Sequence, residues 1–237
     1  MNVDNYKLRA AEIAVNLIHS GMIVGLGSGS TASLALQILA RKLNDGKLEQ
    51  ILGIPSSLAI EQHAKQLGIP LINLEEHPVI DITIDGADEV DEDLNLIKGG
   101  GGALLREKII AQASRREIII VDQSKLSEVL GTQWPVPIEV LPFGWGSQAK
   151  YLESLGGCWK LRKNLDGSSY LTDQGNLILD CDFGLIKKPR ELSNQLADRA
   201  GIIEHGLFIE LASDLIVVGK DGCRHITSSS LKSKKSV

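Results

Sequence analysis

Met22-Ile23-Val24-Gly25-Leu26-Gly27-Ser28-Gly29-Ser30-Thr31-Ala32, residues 22–32, holds the key to the fold. The apolar run Met22–Leu26 reads as a buried strand, and Thr31–Leu43 carries helical periodicity. A strand, a glycine loop and a helix in that order open a βαβ unit. The glycines permit a tight turn and the close approach of a ligand. The helix start adds unpaired backbone N–H groups and the positive end of a dipole. With the hydroxyls of Ser28, Ser30 and Thr31, the segment Ser28-Gly29-Ser30-Thr31 suits a phosphate. It matches neither common nucleotide loop. A P-loop needs Lys after its last Gly, and Ser30 stands there; GxGxxG counted from Gly25 needs Gly where Ser30 stands. A plain glycine turn with a Ser or Thr helix cap remains a second reading.

The same alternation continues outward. Ile51–Ile54, Leu71–Leu74, Val79–Ile84 and Ile118–Val121 read as strands, and Ser57–Leu67 and Ala103–Ala113 as helices. The strands are rich in Ile, Val and Leu, as expected when both sheet faces are covered. An α/β class with a Rossmann-like, mainly parallel sheet follows. Near Gly131 the pattern changes. Trp134-Pro135-Val136-Pro137 and Leu141-Pro142 punctuate the chain. Then come a helix at Gln148–Leu155, a strand at Trp159–Arg162, a hairpin of Tyr170–Thr172 with Leu177–Cys181, and a helix at Glu191–Arg199. Strand composition returns at Gly206–Glu210 and Leu215–Val218. Residues 1–131 and 206–227 are expected to form the α/β domain, with a small α+β domain inserted at 132–205. The Ser- and Lys-rich end, 228–237, reads as a disordered tail.

Composition narrows the function. The chain has 237 residues, 43% hydrophobic and 23% charged, with a formal net charge of -5. Acids and bases are interspersed, and no basic stripe offers a surface for a nucleic acid backbone. Cys158, Cys181 and Cys223 are widely spaced and odd in number, which fits a reducing compartment better than a disulfide scaffold. The first residues lack the apolar core of a signal peptide, and no apolar run approaches a membrane span. The expectation is a cytoplasmic enzyme.

Two further clusters carry chemistry. Asp85-Gly86-Ala87-Asp88-Glu89-Val90-Asp91 follows a strand, at the edge where open α/β sheets bind ligands. Asp85 and Asp88 suit sugar hydroxyls or proton transfer, whereas Glu89, Glu92 and Asp93 read as a solvated acidic loop. Counted from Asp91, a calcium loop fails at Leu96 and Gly102. The third cluster is Lys98-Gly99-Gly100-Gly101-Gly102, ahead of Ala103–Lys108. Four glycines raise the entropy lost on folding, which amides wrapped around an anion or polar ligand would explain. Lys98 can balance negative charge there. On the following helix Glu107 shares a face with Ala103, Ile110 and Ala111, while Lys108 and Gln112 mark a polar face. A carboxylate on an apolar face suits a general base; an ordinary helix-edge Glu is the other reading. Lys125, in Asp122-Gln123-Ser124-Lys125, follows a strand and can reach the same edge. The histidines show no metal-binding spacing.

Taken together, GLGSGSTA at 25–32, DGADEVD at 85–91, KGGGGALLREK at 98–108 and DQSK at 122–125 resemble type A ribose-5-phosphate isomerases. The resemblance implies interconversion of D-ribose 5-phosphate and D-ribulose 5-phosphate with no metal or organic cofactor. It implies Glu107 as the base and Lys98 with the glycine amides as oxyanion stabilisers. Asp85 and Asp88 would hold sugar hydroxyls and assist ring opening. Substrate contacts would come from Ser28, Gly29, Ser30, Thr31, Asp85, Gly86, Ala87, Asp88, Lys98, Gly99, Gly100, Gly101 and Lys125. The implied fold is an α/β domain with a ferredoxin-like insert, in homodimers or homotetramers. Position 28 can be Thr in this family and is Ser here. Two rival readings fit less well. A sugar-phosphate-sensing regulator needs a DNA-binding module, for which some twenty residues before the first strand are too few. A CoA transferase with a nucleophilic Glu fits the polar Asp85/Asp88 pair less well than a polyol does.

Overall fold

The structure, a computed structural model, describes residues 3–230. In chain order these residues form α1 (Val3–Val15), β1 (Ile23–Leu26), α2 (Ser30–Asn44), β2 (Leu52–Pro55), α3 (Leu58–Gln66), β3 (Ile82–Asp85), β4 (Glu89–Val90), β5 (Leu96–Ile97), α4 (Leu104–Ala113) and β6 (Glu117–Asp122). A 3-10 turn at Gln123–Lys125 follows, then β7 (Val136–Val140), α5 (Trp145–Ser154), β8 (Cys158–Leu161), β9 (Leu177–Asp182), α6 (Pro189–Ala197), β10 (Ile202–His205), β11 (Leu207–Phe208), β12 (Asp214–Gly219) and β13 (Gly222–Thr227). The described chain divides into two compact units. One takes 3–87, 106–125 and 210–230; the other takes 88–105 and 126–209.

The first unit is built on a sheet of order β13-β12-β6-β3-β1-β2. Its strands from β2 to β12 run parallel, and β13 folds back antiparallel on β12. β3, β6 and β12 are buried along their whole length, which accounts for their Ile and Val content. On α1, Ala10, Ala11, Ala14 and Val15 are fully buried. Their spacing makes one helical stripe, and three of the four are alanines, so α1 packs closely on α2, β6 and β12. The sequence reading had not assigned this helix. The strand expected at Leu71–Leu74 shrinks to a single bridge between Leu71 and Gly53. No helix among the described residues is long and apolar enough to cross a membrane.

The second unit combines an antiparallel sheet, β10-β7-β9-β8, with a small sheet, β11-β5-β4. Its core gathers Val136, Ile138 and Val140 with Leu152, Leu179 and Leu196. The segment read as proline punctuation is thus the buried strand β7. Pro137 is tolerated there because β10 pairs only from Ile138 onward, so its missing N–H falls beyond that ladder. Tyr170–Thr172 is not a strand; β9 pairs instead with β8. Gly206–Glu210 contributes only β11, which pairs with β5 inside this unit, whereas β12 belongs to the first sheet. The same pairing groups 88–105 with the second unit. Of the expected tail, Ser228 is tied to Ser213 by a backbone bond of 2.9 Å, and 231–237 lie outside the described residues.

Candidate active site

In the first unit, β1, β3 and β6 are parallel neighbours, so the segments after them leave from one edge of the sheet. Ser28, Asp85 and Lys125 all lie at this edge. Gly27 donates to the Ile84 carbonyl at 3.1 Å. A Cβ on Gly27 would fall on that carbonyl and on the Asp85 carboxylate, so only glycine lets the two segments come together. Asp85, 1% exposed, accepts at Oδ1 from the Ser28 N–H (3.0 Å) and the Gly86 N–H (2.7 Å).

The Ser28 hydroxyl donates to Glu107 Oε1. Glu107 sits in the first turn of α4, where the positive helix end favours a carboxylate, and is 5% exposed. α4 lies close to the sheet because β1 has a glycine under it. A Cβ on Gly25 would come within 2.9 Å of Ile110 and 2.8 Å of Thr83 Cβ. Glu107 is buried, but the helical wheel misjudged Lys108, which is buried to the same degree.

Gly29 caps α2 with φ +91°, a backbone conformation suited to glycine, and no side chain caps the helix. The first-turn amides at Ser30 and Thr31 therefore lack side-chain competition for an anion. Lys7 of α1 donates from Nζ to Ser30 Oγ at 3.0 Å and brings a cation to the loop. The sequence reading gave Lys7 no role. Its place follows from the alanine stripe, which fixes how α1 lies on α2. Lys125 ends the 3-10 turn after β6 and is partly exposed.

In the second unit, the Asp88 N–H bonds to Ile97 O at 2.9 Å, and Asp88 Oδ2 accepts from the Gly100 N–H at 2.7 Å. Lys98 is 2% exposed. Its backbone N–H donates to Gly206 O at 2.9 Å, and its Nζ lies 5.5 Å from the centre of the buried Phe208 ring. Gly99 and Gly102 have φ of +99° and +84°, and the Gly102 N–H closes a turn onto Gly99 O at 2.9 Å. A Cβ on Gly100 would fall 2.8 Å from Asp88 Oδ1, and one on Gly102 would enter the Tyr170 ring.

Glu89 corrects the solvated-loop reading. It is fully buried, and its carboxylate accepts from the N–H groups of Gly131 (3.2 Å), Thr132 (3.1 Å), Gln133 (3.3 Å) and Trp134 (3.1 Å). Four donors offset its desolvation and fold the 131–134 loop around it. Glu92 and Asp93 are exposed, as read. Among the described residues no group of three or more His, Cys, Asp or Glu side chains is placed to hold a metal ion.

Residues 52–222 match the family Ribose 5-phosphate isomerase A (phosphoriboisomerase A). Ribose-5-phosphate isomerase A of Chloroflexus aurantiacus is 54% identical over 96% of this chain and 95% of its own length. The enzyme of that name from Desulfatibacillum aliphaticivorans is 54% identical over 95% of this chain and 98% of its own. A solved D-ribose-5-phosphate isomerase in complex with phospho-erythronic acid superposes with a TM-score of 0.94 at 37% identity, covering 96% of this chain and all of that one. Ribose 5-phosphate isomerase from Plasmodium falciparum gives a TM-score of 0.91 at 40% identity, over 94% of this chain and 98% of that one. The chain belongs to the ribose 5-phosphate isomerase A family.

Proposed function

We propose that this enzyme interconverts D-ribose 5-phosphate and D-ribulose 5-phosphate, and that Glu107 carries the proton. The observation that most supports this is a buried carboxylate at a helix start, held by the hydroxyl of the glycine loop. In the open-chain aldose, Glu107 takes the C2 proton and the electron pair moves to leave negative charge on O1. The enediolate then receives the proton at C1 while a proton passes between O2 and O1. Lys98 and the amides of Gly99, Gly100 and Gly101 supply the positive field for the oxyanion. Asp85 and Asp88 hold sugar hydroxyls and assist ring opening, with Gly86 and Ala87 as backbone contacts.

The phosphate falls to Ser28, Gly29, Ser30 and Thr31, aided by Lys7; Lys125 contacts the substrate from the sheet edge. A related enzyme was solved with phospho-erythronic acid, whose carboxylate is a planar, negatively charged pair of oxygens, as are O1 and O2 on the adjacent carbons of a cis-enediolate. That resemblance supports an anionic intermediate here. The same reading makes the protein a cytoplasmic homodimer or homotetramer whose partner is a small sugar phosphate rather than nucleic acid or membrane. The test is interconversion of the two pentose phosphates by purified protein in a chelating buffer. Turnover under chelation supports the reading; loss that one divalent metal restores contradicts it.

A further inference from the structure

The glycine run is held from behind by a polar clamp to which neither the sequence reading nor the proposed mechanism assigns a role. Arg162, just past the end of β8, is itself fixed by Asp180 of β9. Its Nε donates to Asp180 Oδ2 at 2.9 Å and its Nη2 to Oδ1, a two-pronged pair. The remaining arm, Nη1, donates to Gly99 O at 2.9 Å and to Gly100 O at 3.1 Å. Tyr170 completes the clamp. Its N–H bonds to Arg162 O at 3.0 Å, its ring lies 5.8 Å from the guanidinium, and its hydroxyl donates to Gly101 O at 3.2 Å. Three consecutive glycine carbonyls are thus engaged by two side chains.

Peptide geometry gives this a consequence. In a trans peptide the C=O and the following N–H point in opposite directions. When Arg162 draws in the carbonyls of Gly99 and Gly100, the N–H groups of Gly100 and Gly101 must face away from it. The Gly100 N–H does so, reaching Asp88 Oδ2 at 2.7 Å. By the same geometry the Gly101 N–H faces away from Arg162. Glycines lack a side chain to restrain the peptide, so an unheld run would sample flipped amides. A cation on the carbonyl side also polarises each peptide and strengthens its N–H as a donor.

We propose that Arg162 is a positioning residue that, backed by Asp180 and Tyr170, holds the Gly100 amide on Asp88 and so aims the amide of Gly101 at the oxyanion of the enediolate. The proposal rests on the isomerase reading above. It differs from a purely structural role because the Gly101 amide matters most when charge develops, so turnover is affected more than substrate binding.

Arg162→Lys keeps the charge but cannot grip Asp180 with two prongs and two carbonyls at once. Tyr170→Phe removes one bond and leaves the ring, which provides a second variant if Arg162→Lys does not fold. For each, kcat and KM for ribose 5-phosphate, binding of 4-phospho-D-erythronic acid, and Tm are measured on one preparation. The expected result for Arg162→Lys is a kcat lowered about tenfold to a hundredfold, below the loss of a whole oxyanion donor. KM should stay within about threefold, and affinity for the acid should fall in proportion to kcat/KM. Tyr170→Phe should show the same pattern at smaller amplitude. A folded Arg162→Lys with kcat within twofold of wild type overturns the proposal. So does a kcat loss with unchanged affinity for the acid. If Arg162→Lys does not fold, a Tyr170→Phe that is unchanged in both readouts overturns it as well. Wild-type protein without isomerase activity would instead overturn the functional reading, so the two failures are distinguishable.

Discussion

Ser28 and Glu107 stand 79 positions apart in the chain and are joined by a hydrogen bond from the serine hydroxyl to Glu107 Oε1. The bond ties the loop after β1 to the first turn of α4. The hydroxyl orients the carboxylate in a site that is 5% exposed. Ser28→Ala removes a bond to a charged group, worth about 1.5–3 kcal/mol. We expect kcat/KM to fall about tenfold and Tm to fall by several degrees, since the buried Glu107 Oε1 loses that donor. Ser28→Thr should stay near wild type because the hydroxyl is kept. Steady-state kinetics on both variants check this; equal losses in the two would remove the hydroxyl from the account.

Lys7 reaches Ser30 beside a helix start that no side chain caps. Lys7→Ala should raise KM for ribose 5-phosphate about tenfold, the scale of one charge-assisted contact, and change kcat little. Unphosphorylated ribose should be a very poor substrate and indifferent to the substitution. If the variant slows ribose and ribose 5-phosphate alike, Lys7 does not act through the phosphate.

The parts of the site that the sequence made legible are those tied to local backbone rules. A glycine loop between strand and helix, and carboxylates at a strand end, have one place to go in a parallel sheet. Ser28, Asp85 and Lys125 are there. What escaped depends on contacts distant in sequence. Glu89 looked solvated because β4 and β5 are two residues each, too short to show periodicity, and its four donors lie more than forty positions away. Lys108 looked polar-facing because a wheel knows only its own helix. β7 was hidden by Pro137, which matters only if a neighbouring strand needs its N–H. Arg162 carried no motif, since its partners are carbonyls that every residue has.

Acid stability should depend on Asp214. Burial alone would raise its carboxyl, but bonds from Arg116 (2.8 Å to each oxygen) and His225 (2.6 Å) outweigh burial and hold it below its usual 3.8. A folded value below the unfolded one contributes stability that is complete above about pH 4 and is lost as pH falls through the folded value. Asp214→Asn should therefore lower Tm at pH 7, and the gap to wild type should narrow below about pH 4. Thermal melts from neutral to acid pH check it; a gap constant down to the acid limit would mean the loss is packing rather than charge.

The central claim is that Glu107 moves the proton. Glu107→Gln keeps size and packing in a site that is 5% exposed but cannot accept a proton from carbon. The direct measurement is turnover together with exchange of the C2 hydrogen of ribose 5-phosphate into deuterated solvent, on folded wild-type and variant protein. The account predicts that both rates fall together by at least about a hundredfold, the low end for a lost general base, with substrate affinity changed far less. A folded Glu107→Gln that turns over within a few-fold of wild type would contradict it and pass the role to Asp85 or Asp88.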